Sequence, residues 1–127
     1  MRENTVIFLH KFFWAAYVLV LIVGSLIPVD MSGAPEQSDK AVHFLAYGLM
    51  AFCWPATWRR TFLTAFCLAA GLGLLLEFGQ GVLPTGRFFD LWDALANAVG
   101  AAVGVCVAYV CSRSGNRVLF DGVRRKT

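Results

Sequence analysis

Charge is scarce in this chain. Of its 127 residues, 15% are charged and 58% hydrophobic, and the mean hydropathy is +0.64. A water-soluble domain of this length needs more charge to cover its surface. The scarcity therefore excludes an ordinary soluble fold and points to a membrane protein, with one domain over residues 1–127. No nucleic-acid partner is expected. Paired cysteines are lacking as well. Cys53, Cys67, Cys106 and Cys111 all lie inside apolar runs, with no CxxC and no Cys/His ligand spacing. Neither disulfides nor a zinc site is expected, and free thiols buried in helices are the better reading. No Ser or Cys nucleophile stands among the polar groups described below.

What the chain does have is four long apolar runs. They predict spans over about 8–28, 41–58, 61–83 and 88–111, followed by a basic cytoplasmic tail over 112–127. Each run is near the roughly 20 residues that a helix needs to cross a bilayer core. Backbone groups in lipid must be satisfied within the segment, so the fold class is all-α. The first run follows Arg2 and Lys11 and could pass for a signal peptide. Its length, and the lack of an A-x-A site after it, favour a retained span. Gly33, Pro35 and Ser38 punctuate the first connection, Arg59 and Arg60 the second, and Pro84-Thr85-Gly86 the third.

Orientation follows from the basic residues. Nine of the eleven (Arg2, Lys11, Arg59, Arg60, Arg113, Arg117, Arg124, Arg125 and Lys126) fall on one side of a four-span topology. That side is predicted to be cytoplasmic, which puts both termini inside. Lys40 and Arg87 run against the bias.

The polar residues inside the runs are the informative ones. Asp39, His43 and Tyr47 are spaced i, i+4, i+8. Glu77 and Gln80 are i, i+3. Asp90, Asp93 and Asn97 are i, i+3, i+7. Each set therefore lies on one helix face. At 1.5 Å per residue, His43, Glu77, Asp93 and Asn97 sit roughly 6 to 13 Å into their helices from the same side. Small residues repeat at every fourth position: Ala65, Ala69 and Gly73 on the third helix, and Ala96, Gly100, Gly104 and Ala108 on the fourth. Such stripes let helices approach closely. A compact bundle with a polar pocket opening outward is expected. An ionisable group in such a run is a functional candidate by default. Interhelical glue is the structural alternative. Arg87 and Lys40 are suited to holding a phosphate or carboxylate, and Glu77 with His43 to acid–base work. A metal is chemically possible at His43, Glu77, Asp90 and Asp93, but the spacing is not diagnostic. None is assigned, and no cofactor. Trp14, Trp54, Trp58 and Trp92 read as interfacial anchors or packing residues, and His10 as a membrane-boundary residue.

The stretches from Asp39 to Tyr47, Glu77 to Gln80 and Arg87 to Gly100 form the pattern DKxxHFxxY, ExxQ, RxxDxxDxxxNxxG. In this pattern the chain resembles the VanZ-like family of small bacterial membrane proteins, over about residues 39–105. The resemblance implies a four-helix, multi-pass protein of the bacterial inner membrane. The family is named for a member linked to resistance to the glycopeptide teicoplanin, so a role in the cell envelope and in antibiotic resistance is what it implies.

The expected ligand-binding set is Asp39, Lys40, His43, Tyr47, Glu77, Gln80, Arg87, Asp90, Asp93 and Asn97, with Glu77 and His43 the catalytic candidates. The leading expectation is an envelope protein that binds an amphiphilic ligand, such as a lipid-linked glycan, a phospholipid head group or a lipoglycopeptide. One alternative is a membrane-embedded hydrolase or transferase acting on a lipid-linked substrate. The other is a structural partner of envelope enzymes. Membrane lipids are the expected partners, and no oligomeric state is indicated.

Overall fold

A computed structural model describes residues 2–27, 38–54, 62–84 and 88–113. These form four helices: α1 (Arg2–Leu26), α2 (Ser38–Phe52), α3 (Phe62–Val82) and α4 (Leu91–Arg113). The all-α expectation holds. Three helices contain stretches long and apolar enough to cross a membrane: Asn4–Leu26, Phe62–Val82 and Leu91–Ser112. α2 has 15 residues, or roughly 22 Å of helix at 1.5 Å per residue. It is shorter than the run over 41–58 suggested. Its last turn tightens, with the Trp54 N–H bonded to the Ala51 carbonyl at 3.3 Å. Pro55 follows in sequence, and the residue before a proline is disfavoured in a helix.

α4 starts at Leu91 and not at Phe88. Asp90 is its N-cap: the side-chain Oδ1 accepts the Trp92 N–H at 2.7 Å, and the Asp90 carbonyl accepts the Ala94 N–H at 3.1 Å. A carboxylate here satisfies an orphan donor and faces the positive end of the helix dipole.

The bundle is built on α4. α2 packs most extensively against it, then α3, while α1 lies at the periphery. The α2–α4 seam is backbone against backbone. A Cβ at Gly100 would collide with the Phe44 carbonyl, and one at Gly104 with the Gly48 carbonyl. The expected stripe on α4 is shifted slightly. Ala101 and Ala108 are buried beside Gly100 and Gly104, whereas Ala96 is half-buried. On α3, Ala65, Ala69 and Gly73 are buried in line with Glu77 and Gln80. The polar residues are thus continuations of the small-residue stripes, on the faces that meet.

The outward faces are apolar, with Leu, Val and Phe side chains exposed on α1, α3 and α4. This also corrects the expectation for the thiols. Cys67 and Cys106 are exposed and Cys53 and Cys111 half-buried, because they sit on the outer faces of their helices and not in the core. All four are free.

Candidate functional site

α2 begins, α3 ends and α4 begins at the same end of the bundle, so the polar faces converge there. His43, Glu77, Asp93 and Asn97 are all buried. At the centre, His43 Nδ1 lies 2.9 Å from Asn97 Oδ1. An amide oxygen only accepts, so with this pairing Nδ1 carries the proton. Glu77 Oε1 lies 3.7 Å from the same nitrogen. Its other oxygen, Oε2, is 3.4 Å from the Asp90 N–H at the head of α4. His43 Nε2 points the other way, 3.7 Å from Asp39 Oδ1 one turn back on α2. Tyr47 lies one turn below, its ring parallel to the imidazole with centroids 6.4 Å apart.

Asn97 is held closely from behind. Its Cβ would lie 2.7 Å from a Cβ placed at Gly73, so a side chain there would push it aside. Glycine at 73 is what lets α3 and α4 meet at this depth.

Above the buried layer, Lys40 bridges two residues of the α4 entry. Its ammonium is 3.2 Å from Asp90 Oδ2 and 3.4 Å from Asp93 Oδ1. The hydrogen bond to Asp90 holds the Lys40 ammonium above its usual pKa. The Trp92 N–H, and then Lys40, hold the Asp90 carboxyl below the usual carboxylate range. Lys40 is thus engaged with carboxylates, and the anion-holding role expected of it needs those pairs to open. Arg87, the other expected anion ligand, lies outside the described residues, as do Trp58 and the basic tail beyond Arg113.

Among the described residues, three buried side-chain atoms of this cluster lack a hydrogen bond: Tyr47 Oη, Asp93 Oδ1 and Asn97 Nδ2. The Lys40–Asp93 contact is therefore an ion pair without hydrogen-bond geometry. Gln80, which the sequence grouped with the cluster, is buried and donates to the Ser25 carbonyl of α1.

α1 contributes more than its hydropathy suggested. Tyr17 donates to the Ala46 carbonyl at 2.9 Å and Trp14 to the Met50 carbonyl at 3.0 Å. His10 Nε2 lies 3.2 Å from the Cys53 carbonyl. These side chains are at i, i+4 and i+7; Trp14 and His10 meet carbonyls at the end of α2, where a helix leaves orphan acceptors, and Tyr17 meets one a turn further in. Trp14 also packs edge-on against Trp54, centroids 5.2 Å apart. Trp14 is thus a packing and capping residue, and His10 a partner of α2. The i, i+4, i+7 spacing was the signal available in the sequence. Trp92, in contrast, is exposed.

A shallow apolar groove of about 400 Å³ lies on the outer face of the first turns of α4, lined by Leu91, Trp92, Ala94, Leu95 and Ala98, away from the face that carries Asp93 and Asn97. It does not contain the polar side chains, which fill the space between α2, α3 and α4.

Compared with known protein families, residues 5–112 match VanZ/LLP1. The chain belongs to the VanZ/LLP1 family. The match spans all four helices of this VanZ-like protein, including α1, where the sequence motifs were silent. No curated protein and no solved structure matches the chain. The cluster's chemistry is that of two layers: a half-exposed charged rim of Asp39, Lys40 and Asp90, and a buried layer of His43, Glu77, Asp93 and Asn97.

Proposed function

We propose that this VanZ-like protein is a multi-pass protein of the bacterial inner membrane that binds the polar head of an amphiphilic or lipid-linked ligand. The reading rests on one juxtaposition. The charged rim of Asp39, Lys40 and Asp90 stands at the head of α4, where the apolar groove of Leu91, Leu95 and Ala98 begins. A head group at the rim would leave its acyl chain lying along the groove, at the depth where both are comfortable. In this reading α2 completes a fourth crossing with the apolar residues that follow it, up to Trp58. The basic residues then place both termini in the cytoplasm, and the rim faces outward. Arg87, which lies outside the described residues, stays in the proposed ligand-binding set on its sequence motif alone. Ligands of this class include lipid-linked glycans and lipoglycopeptides, which would connect the site to teicoplanin-type resistance.

A second reading is a lipid-directed hydrolase or transferase. It is favoured by the contact between buried Glu77 and His43 at 3.7 Å, a pairing suited to moving a proton. One experiment addresses both readings. The protein is purified in mild detergent, and its lipids are identified by mass spectrometry and then incubated with it. A retained anionic or polyprenyl lipid supports binding. Its turnover by the wild type, lost in Glu77→Gln, supports the enzyme. A folded protein that retains only bulk phospholipid in bulk proportions would refute the site as a head-group receptor.

A further inference from the structure

We propose that Asp39, His43 and Asp93 bind one divalent metal ion of the Zn2+ or Mn2+ type. One donor atom from each residue lies within 4.8 Å of the others. Separately, His43 Nε2 lies 3.7 Å from Asp39 Oδ1. Donors bound at roughly 2.0–2.2 Å around a tetrahedral ion stand about 3.4 Å apart. Small side-chain movements close the set.

Three observations independent of that proximity point to a cation. The first is the histidine tautomer. Asn97 Oδ1 takes the Nδ1 proton at 2.9 Å, which leaves the Nε2 lone pair facing the Asp39 carboxylate. In that tautomer, Nε2 and the Asp39 carboxylate are two donors 3.7 Å apart that one cation can bridge. The arrangement is also that of a metal-binding imidazole, whose second nitrogen is fixed by an outer hydrogen bond. The second is Asp93. Its Oδ1 is buried and accepts no hydrogen bond, with only the ion-pair contact to Lys40 at 3.4 Å. The third is charge. Among the described residues, the cluster holds four carboxylates, Asp39, Glu77, Asp90 and Asp93, and one lysine, Lys40, which contacts only Asp90 and Asp93 of them.

Lys40 acts as a tethered competitor. Its side chain is 39% exposed and already reaches Asp90 Oδ2, so it can stay on Asp90 while Asp93 turns to the metal. One imidazole and two carboxylates suit a borderline ion better than Ca2+ or Mg2+. Three protein donors leave positions for water or a phosphate oxygen. A bound ion would thus let an acidic cluster take an anionic head group. The metal site stands whether or not a lipid binds.

The test uses the full chain in detergent, stripped with a chelator and titrated with Mn2+ alone, reading free Mn2+ by its electron paramagnetic resonance signal. We expect one ion per chain. Asp39→Asn and Asp93→Asn should each weaken binding about tenfold or more, and His43→Gln further. Asn97→Ala, which only frees the imidazole, should weaken it about 10- to 100-fold, the usual effect of losing an outer partner. Lys40→Met should tighten it. Circular dichroism establishes that each variant is folded. Asp39 is on the rim, with its side chain 35% exposed, so Asp39→Asn still decides the matter if Asp93→Asn fails to fold. A folded wild type that binds no Mn2+ at millimolar concentration refutes the site. So does binding unchanged in Asp39→Asn and His43→Gln, or an imidazole shown by nitrogen NMR to keep protons on both nitrogens when Mn2+ is replaced by Zn2+. None of these outcomes bears on lipid retention, so failure of the metal site is distinct from failure of the head-group reading.

Discussion

Gly73→Ala should damage the site without altering any polar residue in it. The added methyl would lie 2.7 Å from Asn97 Cβ and 2.8 Å from its Nδ2. Two carbons in contact need about 3.5 Å or more. Cβ is fixed to the backbone, so no rotamer change relieves the overlap, and α3 and α4 must part by nearly an ångström. Where the Asn97 side chain is pushed aside instead, its hydrogen bond to His43, now 2.9 Å, is disturbed. Overpacking of this kind costs about 1–3 kcal/mol. Hydrogen bonds between membrane helices average about 0.6 kcal/mol, with a maximum near 1.7. Alanine's better helix propensity returns about 1 kcal/mol. The net expectation is about 1–3 kcal/mol of destabilisation. Gly71 on the same helix supplies the control, because a Cβ there meets nothing within 4 Å. Gly71→Ala should therefore be neutral or stabilising by up to about 1 kcal/mol. The assay is reversible unfolding in mixed micelles followed by circular dichroism, together with nitrogen NMR of the His43 ring. Equal stability of Gly73→Ala and Gly71→Ala, with an unchanged His43 signal, would refute the packing argument.

Trp14→Phe should cost more than Tyr17→Phe in the same assay. The Trp54 N–H has turned to Ala51, so Trp14 serves a carbonyl at the frayed end of α2, whereas the Ala46 carbonyl lies within the helix; we expect about 1–3 kcal/mol against about 0.5–1. Asp90→Ala should destabilise by about 0.5–2 kcal/mol through loss of the α4 cap, and Asp90→Asn, which can still cap, by less. Because the folded Asp90 carboxyl titrates below its unfolded value, its contribution is complete above the ordinary carboxylate range and is lost as pH falls through the lowered value; an Asp90 contribution that disappeared between pH 6 and 7 would contradict this.

Much of the fold was legible because membrane helices announce themselves by length and apolarity. The convergence of His43, Glu77, Asp93 and Asn97 was legible because i, i+3, i+4 and i+7 spacings fix a helix face, and the chain order sets the end at which the faces meet. Other features left no such trace. Hydropathy does not distinguish a side chain facing lipid from one facing the core, so the cysteines were misplaced. It extended the fourth run back through Phe88 and Phe89, whereas the helix begins where Asp90 caps it. It extended the second run through Trp58, whereas α2 ends at Phe52. The α1 donors were missed because their partners are carbonyls, and every residue carries a carbonyl. Gln80 shares a face with Glu77, yet nearly one turn further along α3 it meets the Ser25 carbonyl of α1.

The cluster could be read as glue that only fixes the helices in register. Two observations weigh against that account. First, the bundle has another source of cohesion. The Gly48, Gly100 and Gly104 seam brings α2 and α4 into backbone contact, and Gly73 lets the Asn97 side chain of α4 pack against α3. Small residues of this kind hold membrane helices together without any buried charge. Second, polar groups retained for stability should satisfy one another, since a partly satisfied network is worse than an apolar core. Here the Asp93 Oδ1, Asn97 Nδ2 and Tyr47 hydroxyl groups lack hydrogen bonds, and they lie within the same few turns. Their presence at one end of the bundle, beside a charged rim and an apolar groove, is better explained by something that binds there than by the packing of the helices themselves.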